Sequence, residues 1–364
     1  TIKMIKKITY LVMLLVTIAF ISSCNKKYAF KVKEVDFDNR GEVLNGDIVD
    51  INILAMDQVL VCDTLLIVTT NDPSSYIRVY NTITKDSIAS ILKEGRARNE
   101  AHFPISSSKQ FYYVNNDLIL PMWDSNDKII EVNITQSIRT GNTVIGNVRD
   151  CDSFTRTRSV ILNNDIYNTF DYHKMLPDPV LENGFILPKY KVGHIDNKRE
   201  IKVFPKMMNF TEPDKQSPMY FGCPFINHEQ NIVIQPFQYM NYILFFDLEK
   251  SKNFAIHLQD ALSFDDQIVY SEYIPLCFCD CAISSDFFIL LRQIDNETRE
   301  AVKKKNVKEI LIFNWEGEYL HSAVLGDLVN DIGYDENNMI LYGLDRSNEI
   351  LYSYDLSHII KELQ

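Results

Sequence analysis

Six times along this chain a short apolar run ends in a residue that breaks a strand, and this recurrence restricts the fold more than any other feature of the sequence. The clearest copy is Ile310-Leu311-Ile312-Phe313-Asn314-Trp315-Glu316-Gly317-Glu318-Tyr319-Leu320, a strand, a tight turn with Gly317 free to take positive φ, and the start of a second strand. Its first half returns as Ile77-Arg78-Val79-Tyr80-Asn81, Ile129-Ile130-Glu131-Val132-Asn133, Ile243-Leu244-Phe245-Phe246-Asp247 and Leu351-Tyr352-Ser353-Tyr354-Asp355. A degenerate copy, Ile201-Lys202-Val203-Phe204-Pro205, ends in proline, which cannot donate to a ladder.

Each copy follows a polar turn that feeds another apolar run, such as Cys62-Asp63-Thr64-Leu65-Leu66-Ile67-Val68, Asn116-Asp117-Leu118-Ile119-Leu120 or Asn183-Gly184-Phe185-Ile186-Leu187. The strand-breaking positions 81, 133, 205, 247, 314 and 355 are separated by 52, 72, 42, 67 and 41 residues. Units of that length suit four-stranded blades with variable loops, and the predicted fold is all-β, a six-bladed β-propeller. A solenoid would have shorter, more uniform units. The last copy leaves too little chain for a final outer strand, so the alternating segment Val32 to Phe37 is expected to pair into the last blade and close the ring.

Residues 1 to 23 read as a signal peptide: Lys3, Lys6 and Lys7 precede an apolar run from Ile8 to Ile21, 14 residues, too short for a mature membrane-spanning helix. Ile21-Ser22-Ser23-Cys24 resembles a lipobox, making Cys24 the expected lipid anchor and residues 24–29 a short tether ahead of a propeller over 30–364. The expected location is the outer membrane of a cell envelope, periplasmic side, with the membrane held through the N-terminal lipid. Removing the leader leaves 34 basic against 49 acidic side chains, a formal −15. Such a surface repels phosphate backbones and argues against nucleic acid as a partner.

The lipobox, the start Phe30-Lys31-Val32, the hairpin at Phe313 to Leu320 and the stretch Gly95-Arg96-Ala97-Arg98-Asn99-Glu100-Ala101-His102-Phe103 together resemble the TolB-like six-bladed β-propeller lipoproteins of Bacteroides-type bacteria. The resemblance spans roughly residues 30 to 355. Ala97 and Arg98 stand where that family has a second Gly and a Pro, and His102 lies between the Glu and the aromatic. The resemblance implies a fold and an envelope location; it implies no catalytic residues.

The chemistry-bearing side chains have plain structural readings. Cys277-Phe278-Cys279-Asp280-Cys281 would place three thiols on one face of a strand about 7 Å apart, too spread for one tetrahedral metal, so they read as small side chains on an inner strand. Cys62, Cys151 and Cys223 are scattered, and mostly free thiols are expected. The seven His are isolated, and there is no nucleophile elbow or phosphate-cradling loop. Turn acids at Asp63, Asp117, Asp247, Asp286 and Asp355 are turn formers first, with calcium at a rim or the channel as the alternative.

The expected function is therefore a non-enzymatic binding module for a protein partner or a glycan, with Trp123, Tyr239 and Tyr242 as candidate contacts on exposed loops. The alternative is a propeller lyase or hydrolase with acids, and a metal, at the central channel. Two insertions, Thr140 to Asp171 and Arg292 to Lys308, read as long loops suited to binding.

Overall fold

The computed structural model describes residues 31–36, 41–105, 109–150, 159–162, 165–168, 189–192, 199–202, 222–238, 241–247, 253–258, 277–294 and 307–363. The described residues open with three short strands, β1 (Lys31–Val35), β2 (Val43–Leu44) and β3 (Asp47–Ile48). A four-stranded antiparallel meander follows, blade A: β4 (Met56–Cys62), β5 (Leu65–Thr70), β6 (Ile77–Asn81) and β7 (Ser87–Ile91). A crossover with a small parallel pair, β8 (Lys93–Glu94) and β9 (Glu100–Ala101), leads to blade B: β10 (Tyr112–Val114), β11 (Asp117–Asp124), β12 (Lys128–Asn133), helix α1 (Ile134–Thr140) and β13 (Ile145–Asp150).

Two separate hairpins come next, β14 (Ser159–Leu162) with β15 (Asp165–Asn168) and β16 (Lys189–Val192) with β17 (Arg199–Lys202). Blade C is β18 (Phe225–Asn227), β19 (Ile232–Pro236), β20 (Tyr242–Asp247) and β21 (Asn253–Leu258). Blade D is β22 (Phe278–Ile283), β23 (Phe287–Ile294), β24 (Val307–Asn314) and β25 (Tyr319–Leu325). Blade E is β26 (Asp331–Asp335), β27 (Ile340–Asp345) and β28 (Ile350–Asp355), with helix α2 (Ser357–Leu363) after it.

These are the blades of a β-propeller, and the core lies between them rather than inside any one. Leu66 and Val68 of β5 pack with Tyr342, Leu344 and Leu351 of blade E, while Ile67 between them packs with Leu118, Leu120 and Ile130 of blade B. A strand buried on both faces needs apolar residues at successive positions, which is why Leu65-Leu66-Ile67-Val68 is a continuous run and not an alternation. The same logic joins blade D to blade E through Ile289, Ile310, Ile312, Tyr334 and Leu341, and blade C to blade D through Phe245, Phe288, Leu290 and Phe313.

The recurring Asn and Asp do what their side chains permit. Asn81 Oδ1 accepts from the N–H groups of Ile83 and Thr84, Asn314 Oδ1 from those of Glu316 and Glu318, and Asp355 Oδ1 from that of Ser357. Asn133 uses the same bond, from Gln136 N–H at 2.8 Å, to cap α1, which ends at Gly141 with φ 68°. Gly317 takes φ 76°, and a Cβ there would lie 2.6 Å from Cε2 of Phe254 in blade C. Gly317→Ala is expected to cost roughly 1–3 kcal/mol through the left-handed backbone and this clash, read as a lowered melting temperature.

Three expectations change. Among the described residues five sheets of four or five strands stand where six blades are expected; the region of the third repeat contributes the hairpins β14–β15 and β16–β17. That repeat is the degenerate one: Ile201 and Lys202 lie in β17, and residues 183–187 and 203–205 lie outside the described set.

Ring closure is also different. β1 does not join the last blade: it runs parallel to β21 on blade C, Lys31 opposite Phe254 through Val35 opposite Leu258. β2 runs parallel to β25 on blade D, and β3 supplies the outer strand of blade E, antiparallel to β28 with Ile48 opposite Tyr352. The N-terminal segment is thus a strap over the outer edges of three successive blades.

Lastly, the insertion read as a loop from Thr140 to Asp171 contains β13, the outer strand of blade B, and the hairpin β14–β15. Of the second insertion, Arg292 to Ile294 extend β23 and Val307 and Lys308 begin β24, while Lys303 to Lys305 lie outside the described residues.

Candidate functional site at the start of the inner strands

The first strands of blades C, D, E and A pack against one another in turn, β22 against β18 and β26 against both β22 and β4. At the end where these strands begin, three carboxylates converge: Asp57 on β4, Asp280 on β22 and Asp331 on β26. Two of the strands are irregular there, with register breaks between Met56 and Gln58 and between Phe278 and Asp280. Bulges of this kind re-aim side chains, and these lie beside both acids.

The cation that meets them comes from the blade A to blade B crossover. Lys109 Nζ donates to Asp280 Oδ2, to Asp331 Oδ1 at 2.5 Å and to the Ile332 carbonyl at 2.8 Å. Its side chain is 6% exposed, against 8% and 1% for the two acids. Asp280 Oδ2 also accepts from Ile332 N–H at 2.7 Å, and Asp331 Oδ1 from Val59 N–H at 2.7 Å. On its outer side Asp331 Oδ2 accepts from an Arg346 terminal nitrogen at 2.8 Å, and Arg346 Nε lies 3.9 Å from Asp57.

Two cations thus face three carboxylates. Burial, and then the charge of Asp331, push the Asp280 carboxyl above its ordinary range, with Lys109 pulling the other way. Burial likewise raises Asp57, partly offset by Arg346. Elsewhere in blade D, Lys308 Nζ donates to Cys279 Sγ at 3.1 Å and to Gln293 Oε1 at 3.1 Å.

The same crossover carries a second constellation nearer the rim. Glu94 receives the Tyr76 hydroxyl on one oxygen and the His102 ring through Nδ1 on the other, and the hydrogen bond from Tyr76 holds its carboxyl below the usual range. The backbone of His102 is pinned on both sides: its N–H donates to Asp124 Oδ2 at 2.7 Å, and its carbonyl accepts from Ser125 N–H at 2.9 Å and Ser125 Oγ at 2.8 Å. Ile105 then pairs with Trp123 through two backbone hydrogen bonds of 2.8 Å.

The residues expected to bind are placed as follows. Trp123 is not on an exposed loop; it lies in β11, wholly buried against Ile129 and Ile161, because that strand continues through Pro121, which sits beyond the end of β10 where no ladder needs its N–H. Tyr242 begins β20, half-buried, its ring stacked on His257 at 4.4 Å. Tyr239 and Cys24 lie outside the described residues.

The three thiols do not share one face. The bulge at Phe278 sends Cys277 and Cys281 into the core between blades C and D, and Cys279 towards that between D and E. Among the turn acids, Asp117 accepts from Asn133 Nδ2 and Gln136 Nε2 and Asp63 from the Tyr113 hydroxyl, local uses that fit turn formers.

Sequence reasoning did not single out Lys109, Asp331 or Arg346. The one available signal was an acid, Asp280, inside an otherwise apolar inner strand.

A further buried base gives a pH test. Burial depresses the His228 ring to about 4 from 6.5, and its Nε2 has no hydrogen-bond partner among the described residues. A group that stays neutral in the folded state stabilises above its unfolded value, and that contribution is lost as pH falls from 6.5 through about 4. About 2–3 kcal/mol is expected to disappear across that window. The difference between the pH–melting curves of the wild type and His228→Gln reads it.

No protein-family model matches the chain, and no curated protein matches it in sequence. Solved structures do. A member of the DUF4221 family from Bacteroides vulgatus superposes with a TM-score of 0.52 at 9% identity, over 87% of this chain and 94% of the other. A protein described as exported, from Bacteroides fragilis, gives 0.49 at 10% identity over 90% and 98%. The WD40 domain of Pan2 from Neurospora crassa gives 0.39 at 9% identity over 80% and 72%. At these identities the likeness speaks to the fold alone. Among the described residues no helix is long and apolar enough to cross a membrane.

Proposed function

We propose that this chain is a lipid-anchored cell-envelope propeller of the TolB-like kind that binds a protein partner or a glycan and catalyses no reaction. In this reading Cys24 carries the lipid, the protein sits at the outer membrane facing the periplasm, and the hairpins β14–β15 and β16–β17 belong to a sixth blade. What supports the binding role is the state of the axial acids. Asp331 spends both oxygens on Lys109, Arg346 and the Val59 N–H, and Asp280 Oδ2 is held by Lys109 and the Ile332 N–H, so these acids serve first as a network joining strands of different blades.

Crosslinking in the native membrane followed by mass spectrometry tests the proposal. One dominant crosslinked protein supports a protein partner; a glycan adduct supports the other arm. Recovery of neither, with the protein present and folded, counts against the binding role.

One observation favours the second reading, a lyase or hydrolase. Asp57 is held above its ordinary range at the mouth and is only loosely approached by Arg346, at 3.9 Å. That reading, with or without a calcium ion at the mouth, predicts turnover of polysaccharide or ester substrates that Asp57→Asn abolishes.

A further inference from the structure

Phe103 occupies a backbone conformation that a bulky side chain rarely takes. Its φ is +44°, and it precedes Pro104, which narrows its choices further. The neighbouring bonds over-determine this geometry. His102 is fixed through its N–H, carbonyl and ring, the Phe103 N–H points to Glu94 Oε2 at 3.3 Å, and Ile105 is locked to Trp123 on the far side. Phe103 is 60% exposed, its ring centroid 4.6 Å from that of His102, and Ile105, two positions on, is 42% exposed. An exposed aromatic side chain beside an exposed Ile, both on backbone pinned by hydrogen bonds, is a preorganised apolar contact surface.

The exposed charges on the neighbouring loop are basic. The crossover loop is closed by Gly95 N–H to the Ala101 carbonyl at 3.0 Å, and its tip exposes Arg96 and Arg98. Lys93 stands at its base, 61% exposed. The nearby acids are turned to local use. Glu94 holds Tyr76 and His102; Glu100 takes Ala97 N–H at 2.9 Å and faces Lys93 at 3.6 Å; Asp124 takes His102 N–H and Asn126 N–H. In a chain of formal net charge −12 the outward face of this loop is cationic.

We propose that Phe103, Ile105, Arg96 and Arg98 form a docking surface for an acidic polypeptide segment that carries an apolar anchor side chain. The inference rests on the binding role proposed above and names its site and partner class. A polypeptide fits better than a sugar because Ile105 offers no flat face for stacking, whereas Phe and Ile together suit an apolar side chain, and the arginines suit carboxylates around it.

The test uses the full chain and a phage-displayed random dodecapeptide library. Selection on the wild type with counter-selection on Phe103→Ser/Arg96→Glu/Arg98→Glu is expected to enrich peptides with Asp or Glu flanking Leu, Ile or Phe. A synthetic peptide of the enriched class is then expected to bind at least tenfold more weakly to Phe103→Gly and, separately, to Arg96→Glu/Arg98→Glu. Phe103→Gly, which relieves the backbone strain, is expected to melt no lower than the wild type, so lost binding is not lost folding.

Enrichment of basic or uncharged peptides, no discrimination between the two proteins, or displacement of the peptide by polygalacturonate at equal carboxylate concentration overturns the proposal. If native-membrane crosslinking recovers a protein partner that Phe103→Gly still captures, the binding role stands and this site falls. If wild type captures nothing, the binding role falls with it.

Discussion

Replacing Lys109 by methionine is expected to destabilise the protein by about 3–5 kcal/mol, because it removes the ammonium group shared by two buried carboxylates and leaves Asp280 with no paired cation among the described residues. Lys109 is the only group among the described residues shown touching both Asp280 and Asp331, and it arrives from a different blade than either. Its loss leaves like charges facing each other at low dielectric, where Arg346 reaches only Asp331. Denaturant unfolding of Lys109→Met measures the loss, and the double variant Lys109→Met/Asp280→Asn is expected to regain a substantial part by removing one stranded charge. An unchanged unfolding midpoint for the single variant would show that the ammonium does not sit between the acids.

Shortening the N-terminus is expected to act in two unequal steps. A chain beginning at Gly41 lacks β1 but keeps β2 and β3. It loses an additional edge strand on blade C in which Val32 is exposed and Val35 half-buried. A chain beginning at Asp50 also loses the outer strand of blade E, the bonds from Val324 N–H to Glu42 and from Gly326 N–H to Leu44, and the buried side chains of Leu44 and Val49. Two such side chains alone are worth about 3–6 kcal/mol. Equal destabilisation by the two truncations would return the closing role to β1.

How much of this was legible in the sequence follows from where each side chain is used. The middle strands of a blade are covered on both sides by neighbouring blades, so they announce themselves as runs such as Ile310-Leu311-Ile312-Phe313, all four buried. Their turns need Asn or Asp for local hydrogen bonds, so the repeat unit is written in two independent codes. The strap is not. β2 and β3 are two residues each, too short to carry any period, and their pairing is decided by edges that lie far off in sequence.

Asn133 shows the limit of the turn code, because the same side-chain bond that closes a hairpin at Asn81 starts a helix when Ile134 and Ile138 can pack inwards. The axial site was hidden for a further reason. Ser106-Ser107-Ser108-Lys109 has the composition of a solvated loop, and only the ring geometry carries the ammonium group inwards to the acids. His102 and Phe103 stood inside a stretch already noted for its departure from the usual pattern, but the positive φ of Phe103 is a property of the backbone, which composition does not encode.

The strap also has a kinetic meaning. Glu34 meets His257 across 223 residues, and Asp47 meets Ser353 across 306. Contacts of such separation carry a high loop-closure cost and are slow to nucleate. Bonds made after the transition state slow unfolding without hastening folding. Strands β1, β2 and β3 are therefore expected to act as a latch: before blades C, D and E can come apart, an edge strand must be peeled from each.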